Sequence, residues 1–191
     1  MKVLTVIILT FLGIQSYAQD YPRFEEILQL TDMFLEPLEN FEKIEPRPND
    51  VMEYEYAAKN VDEDIEVRYA VRPITLKEYA NEEDKQYYLE KREFENTAFE
   101  GHLMVAILNL SGGRETRIEN IYEFEKKRLG ADWGASSFVA LNSDFATDYK
   151  FCHLTVIHKK DRATYYCYFL SNNIATLIRV SRKLRASLKF R

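Results

Sequence analysis

Two runs near the carboxyl end constrain the fold more than any other feature. They are residues 151–158 (Phe-Cys-His-Leu-Thr-Val-Ile-His) and 163–170 (Ala-Thr-Tyr-Tyr-Cys-Tyr-Phe-Leu). Both are rich in β-branched and aromatic residues, and a polar stretch around Lys160 and Asp161 separates them, so they read as a β-hairpin. A strand with one wet face alternates apolar and polar residues, whereas these two are apolar on both faces. A sheet built on them needs cover on both sides. With 46% hydrophobic residues in a chain of 191, the apolar surface to supply that cover is present, and the length fits a single domain.

The other segments predict the rest of the architecture. Pro22 in a first turn, followed by Phe24, Ile27, Leu28, Leu30, Met33 and Phe34, predicts a helix that packs on the sheet. Residues 36–50 carry Pro37, Pro46 and Pro48 among charges and read as an extended loop. Residues 51–58 and 65–74 read as a first hairpin, and 76–94 as partly helical. Residues 102–110 read as a buried strand that exits at Gly112-Gly113, 118–129 as a helix closed by Gly130, and 136–141 as a further strand. From 173 to 188, Ile174, Leu177, Ile178, Ser181, Leu184 and Leu188 share one face of a final helix. The order predicts a single α+β domain: a largely antiparallel sheet of about six strands with flanking helices, in a two- or three-layer sandwich.

The amino terminus carries an address. Lys2 supplies a short positive region, residues 3–14 an apolar run, and Ser16-Tyr17-Ala18 the small residues that a signal peptidase inspects. Residues 1–18 are predicted to be a signal peptide cleaved before Gln19, leaving 19–191 as the domain, secreted or periplasmic. The apolar run is shorter than the ~20 residues a membrane-spanning helix needs, and no later segment is apolar enough to span a bilayer.

The run Gly130-Ala131-Asp132-Trp133-Gly134-Ala135, the stretch Tyr149-Lys150-Phe151-Cys152 and the strand Glu66-Val67-Arg68-Tyr69 resemble stretches in small exported proteins of Bacteroidetes-type bacteria, most of which have no assigned function. The order of elements is also similar to the fold shared by the photosystem PsbP proteins and the nuclear-transport factor Mog1, a six-stranded antiparallel sheet flanked by helices. The resemblance implies a fold and carries no functional residue across.

Motifs for chemistry are sparse. Of the three histidines, His102 is isolated, while His153 and His158 differ by an odd number and point to opposite faces of one strand, so no metal site is predicted. No Gly-x-Ser-x-Gly elbow and no phosphate-cradling glycine loop occurs, so no cofactor is predicted. The acids Asp62-Glu63-Asp64 lack calcium-loop spacing and read as solvated. With a two-residue turn at Lys160-Asp161, Cys152 and Cys167 fall diagonally on one face, ~7 to 8 Å apart, so a disulfide and two buried thiols both remain open. Thirteen tyrosines, including Tyr87-Tyr88 and Tyr165-Tyr166, fit strand packing or a recognition surface, and the lone Trp133 fits a core plug or an exposed anchor.

Charge is polarised along the chain. Residues 19–101 hold 23 acids and 10 bases, and residues 102–191 hold 8 acids and 15 bases. From 179 to 191 there are Arg179, Arg182, Lys183, Arg185, Lys189 and Arg191 and no acid. This basic helix either docks on the acidic first half or binds an acidic partner. The acidic total of −5 argues against nucleic-acid binding. The sequence thus predicts a non-enzymatic exported module that binds an envelope protein or a glycan through Trp133 or through Arg179, Arg182, Lys183 and Arg185. The alternative is a small secreted hydrolase with a carboxylate-based site.

Overall fold

The computed structural model describes residues 23–49, 51–74, 82–142 and 145–191. The predicted signal peptide, its cleavage point before Gln19, and residues 75–81 of the partly helical segment lie outside the described residues. In chain order the first half holds α1 (Phe24–Leu30), β1 (Met33–Leu35), β2 (Phe41–Ile44), β3 (Tyr56–Asn60), β4 (Glu66–Pro73), α2 (Glu82–Thr97) and α3 (Phe99–Ser111). The second half holds β5 (Ile118–Asn120), α4 (Glu123–Leu129), β6 (Trp133–Ala140), β7 (Phe151–Lys159), β8 (Ala163–Ser171), α5 (Ile174–Leu184) and β9 (Leu188–Phe190).

The fold is α+β, with an antiparallel sheet of seven strands in the order β2-β3-β4-β8-β7-β6-β5. Two meanders, β2-β3-β4 and β5-β6-β7-β8, are zipped together by the β4–β8 ladder, which runs from Glu66 opposite Leu170 to Pro73 opposite Ala163. The strands that sequence marks as apolar on both faces sit at the centre, and every residue of β8 is buried. On one face, Val67, Tyr69, Val71, Tyr165, Cys167 and Phe169 pack beneath α1 and α5. That cover is clasped by a two-stranded ladder of β1 and β9, Met33 opposite Phe190. On the other face, Ala70, Leu154, Val156, Tyr166, Tyr168 and Leu170 pack beneath Leu103, Ala106, Ile107 and Leu110 of α3.

Beneath the α3-side cover a pair of opposite charges is buried. Arg68 on the α3 face pairs with Glu66 at 2.5 Å, and both side chains are almost wholly removed from solvent. Its guanidinium lies 4.7 Å from the Tyr54 ring and 5.1 Å from the Phe145 ring, and it donates to the Phe145 carbonyl. A buried charge is tolerated only when paired and hydrogen-bonded. Arg68 meets that condition and so fastens the loops bearing Tyr54 and Phe145 onto the sheet.

Several expectations are corrected. Residues 102–110 form helix α3, because Leu103, Ala106, Ile107 and Leu110 repeat at helical spacing, while apolar Met104, Val105 and Leu108 on the outer side mask that period. Gly112 and Gly113 do take positive φ, as the terminator of that helix. The stretch 118–129 splits into edge strand β5 and helix α4. The extended loop contains β2, and Met33 belongs to β1 instead of the first helix.

The cysteine geometry is corrected too. Arg162 joins the turn, so Cys152 lies opposite Leu170 and Cys167 opposite Thr155. One added residue flips the face on which a side chain falls. Cys167 consequently lies in the α5-side core and Cys152 in the α3-side core, and both thiols are free.

Two outcomes follow. Alkylation of the unfolded protein without reductant labels two thiols by intact mass. Gly130, at φ 66°, closes α4, and an added Cβ would meet the Phe190 carbonyl oxygen at 3.0 Å. Gly130→Ala is therefore expected to cost about 2 kcal/mol or more in urea unfolding, from left-handed backbone strain plus displacement of β9.

Candidate functional site

The two central strands end at a groove of about 570 Å³ between the sheet and the α2–α3 pair. Arg72 and Pro73 of β4 and Thr164 and Tyr166 of β8 form its floor. Helix α2 contributes Tyr87, Tyr88, Lys91, Arg92 and Glu95, and α3 contributes His102 and Val105. The position of α2 is fixed from the β7–β8 turn. Asp161 there accepts from Arg92 and Asn96, and its amide donates back to the Asn96 side chain at 2.9 Å. The hydrogen bond from Arg92 holds the Asp161 carboxyl below its ordinary value.

The cations at the groove differ in how they are engaged. Arg72 is held by the Glu55 carboxylate at 2.5 Å and by the Glu53 carbonyl at 2.6 Å. Arg92 is committed to Asp161 at 2.8 Å. Lys91 is exposed and forms no ion pair among the described residues. Tyr166 is nearly buried; loss of solvent raises its phenol to about 12, opposed by Arg72 and aided by Glu95. It stays a neutral donor. Tyr87, 61% exposed and edge-on to Tyr88 with ring centroids 5.4 Å apart, offers an aromatic surface at the rim. A cavity of this volume with aromatic walls and a few convergent polar groups suits a small molecule or part of a polymer.

No protein-family model matches the chain, and no curated protein matches it significantly.

The residues singled out in sequence are dispersed. Trp133 sits half-buried at the β6 end, its ring 4.7 Å from Phe99, and His158 stacks on Phe99 at 4.4 Å. It packs as a plug beneath the start of α3. In the basic helix, Arg179 pairs with Glu63, Lys183 with Glu39 at 3.1 Å, and Arg185 with Glu125 at 2.9 Å. Lys189 beyond the helix pairs with Glu36. Most of the predicted patch is thus spent on acids within the chain, three of them from its acidic first half. Arg182 remains exposed, without an ion pair among the described residues. Of the acids 62–64, Glu63 pairs with Arg179 and Asp64 accepts from the Asn172 amide, while the backbone amides of Asp62 and Glu63 donate to the Asn60 side chain. Among the described residues no three of His, Cys, Asp and Glu converge as metal ligands.

Groove residues missed in sequence had left partial signals. The Tyr87-Tyr88 pair and Tyr166 stood out by composition, but nothing local ties a helix to a strand so distant in the chain. His102, an isolated strand residue by sequence, reaches the groove because its segment is helical, and it lies edge-on to Phe94 at 6.1 Å.

On the opposite face, His153 of β7 is 1% exposed and stacks on Phe138 with centroids 4.1 Å apart and planes 7° from parallel. Burial, then the charges of Arg185 and Arg182, lower its imidazole to about 3. The folded protein therefore holds a neutral ring where an unfolded chain binds a proton below pH 6.5. As pH falls from 6.5 toward 3 the unfolded state gains protons that the fold refuses, and stability drops. Between pH 7 and pH 4 the wild type is expected to lose on the order of 3 kcal/mol more than His153→Leu, measured by urea unfolding at each pH.

Proposed function

We propose that this chain is an exported, non-enzymatic binding module of the cell envelope, and that its groove on the α3 face takes a glycan carrying acidic groups. The observation that carries the reading is the groove wall: Tyr87, Tyr88 and Tyr166 beside Arg72, Lys91 and Arg92, with Glu95 as the one carboxylate lining it among the described residues. Tyrosine rings stack on the apolar faces of sugars and donate through the phenol, at little cost in side-chain entropy. Lys91, without an ion-pair partner among the described residues, supplies the charge that an acidic substituent would meet. A carboxylate-based hydrolase requires two carboxyl groups roughly 5 to 10 Å apart across a cleft, and a single glutamate among the described residues at the groove favours binding over hydrolysis.

Export rests on the charged, apolar and small-residue order of residues 1–18. No helix among the described residues is long and apolar enough to cross a membrane. Secretion or a periplasmic location, and kinship with the exported Bacteroidetes-type proteins or with the PsbP and Mog1 folds, belong to the same proposal. A second reading, docking of an envelope protein, is favoured by the outer side of α3, where Met104, Val105 and Leu108 are each about half exposed.

Titration calorimetry with acidic and neutral oligosaccharides separates these readings. Tyr87→Ala is expected to weaken acidic-oligosaccharide binding roughly three- to tenfold, and Lys91→Glu to remove the preference for acidic over neutral chains. Binding that ignores both substitutions, or that follows Met104 and Leu108 instead, would refute the groove assignment.

A further inference from the structure

The polar groups lining the groove on the α3 face divide into those already engaged and those left over. Thr164 on the floor shares a hydrogen bond with His158 Nδ1 at 2.9 Å, and Arg92 on the wall is committed to Asp161. Arg72 donates from Nη1 to Glu55 and from Nη2 to the Glu53 carbonyl, while its Nε makes no hydrogen bond among the described residues. Tyr166 is 4% exposed, yet its phenol has no hydrogen-bond partner among them, and the oxygen is not sealed in the core but opens on the groove. A polar group so nearly buried is ordinarily hydrogen-bonded, so this one takes its partner from outside the chain. Glu95 on the wall likewise has neither ion pair nor hydrogen bond among the described residues. The backbone brings the three together. Arg72 lies opposite Thr164 and Ala70 opposite Tyr166, so Arg72 and Tyr166 are diagonal neighbours on one face of the β4–β8 ladder, within reach of long side chains. Glu95 sits on α2 between Arg92 and Asn96, which grip Asp161 at 2.8 and 2.7 Å just before β8 begins, so the wall that carries it stands beside this floor.

We infer that Tyr166, Arg72 and Glu95 form a subsite for two adjacent hydroxyls of an uncharged sugar ring, so that an acidic substituent on the same glycan is read only at the rim, by Lys91. This rests on the glycan reading of the groove and adds to it which part of the ligand faces inward. The leftover groups are two donors, the Tyr166 hydroxyl and the Arg72 Nε–H, and one acceptor, the Glu95 carboxylate. A hydroxyl complements such a set because it donates one hydrogen bond and accepts others at the same oxygen. Two adjacent hydroxyls donate to the two oxygens of Glu95, and their own oxygens accept from the phenol and from Nε–H. A carboxylate or sulfate has no proton to give Glu95 and sets a second negative charge beside it. Acid is therefore excluded from the floor. Lys91 is exposed and lies one turn from Glu95 on the same side of α2, about 6 Å along the axis, where a substituent projecting from the ring reaches it. Tyr87 at the rim supplies the flat surface for the next sugar.

The test is a nuclear magnetic resonance titration of the folded protein with glucose, galactose and mannose, and with sodium acetate as an anion that carries no hydroxyl. The expected result is a saturable shift of the Tyr166 ring and Arg72 Nε–H signals with at least one hexose and none with acetate. Tyr166→Phe, which keeps the ring and removes the hydroxyl, is expected to weaken hexose binding about three- to tenfold with the amide spectrum otherwise intact. Glu95→Gln is expected to weaken it about threefold or more, because a charged acceptor is replaced by a neutral one. The sign of that effect is decisive, since a floor that seats a carboxylate would bind tighter once Glu95 loses its charge. The inference is overturned if no hexose moves these signals, if acetate saturates them, or if Glu95→Gln binds more tightly than the wild type. Acidic oligosaccharides keep its failure distinct from failure of the glycan reading. If they bind the wild type, Tyr166→Phe and Glu95→Gln alike, the subsite falls and the glycan reading stands; if hexoses saturate the floor and acidic chains gain nothing over neutral ones, the subsite stands and the acidic preference falls.

Discussion

The eight-residue ladder between β4 and β8 is the interaction on which the rest of the structure depends. Each strand ends one meander, and together they turn two half-sheets into one. Because both strands lie at the centre, their side chains are buried above and below, and neither face can be left to water. The helices follow from that requirement: α1 and α5 with the β1–β9 clasp on one side, α3 on the other. The groove is a by-product of the same junction. Its floor is made where β4 and β8 run out from under α3, so Arg72 and Tyr166, from opposite halves of the chain, meet there.

The fold class, the second hairpin and the final helix were legible because their signals are local. Apolar residues on both faces of 151–158 and 163–170 mark a central pair, and Leu177, Ser181 and Leu184 give α5 its stripe, although Leu188, expected on that helix, lies in β9. What was illegible depended on context. Helix α3 is apolar nearly all round, so its period is blurred, and a run of nine apolar-rich residues reads equally as strand. Strand β5 is exposed along its whole length and has no apolar alternation to read. The shared face expected for Cys152 and Cys167 failed on a single residue: turn length decides register, and register decides face. The groove was illegible for a different reason, since the ladder and the Asp161–Arg92 contact that assemble it join positions far apart in sequence.

Charge polarisation illustrates how a correct observation can carry two meanings. The acid-rich first half and the base-rich tail do coincide in space, at Glu63–Arg179, Glu39–Lys183 and Glu36–Lys189. Exposed pairs of this kind contribute little each, on the order of 0–1 kcal/mol. Their joint effect is on orientation, because they line the path along which α5 must settle. The uneven charge therefore encodes how the chain closes on itself, and of the tail's cations Arg182 and Arg191 are left without an ion pair among the described residues.

The β1–β9 clasp has one more consequence. Met33–Leu35 and Leu188–Phe190 stand at opposite ends of the described chain, so the α5-side layer has no finished edge until the last segment arrives. Up to that moment Val67, Tyr69, Tyr165 and Phe169 have only part of their cover. Until Leu188–Phe190 pair with β1 the α5 side thus remains an open half-sandwich, and β9 acts as a latch that turns a pliable layer into a closed one.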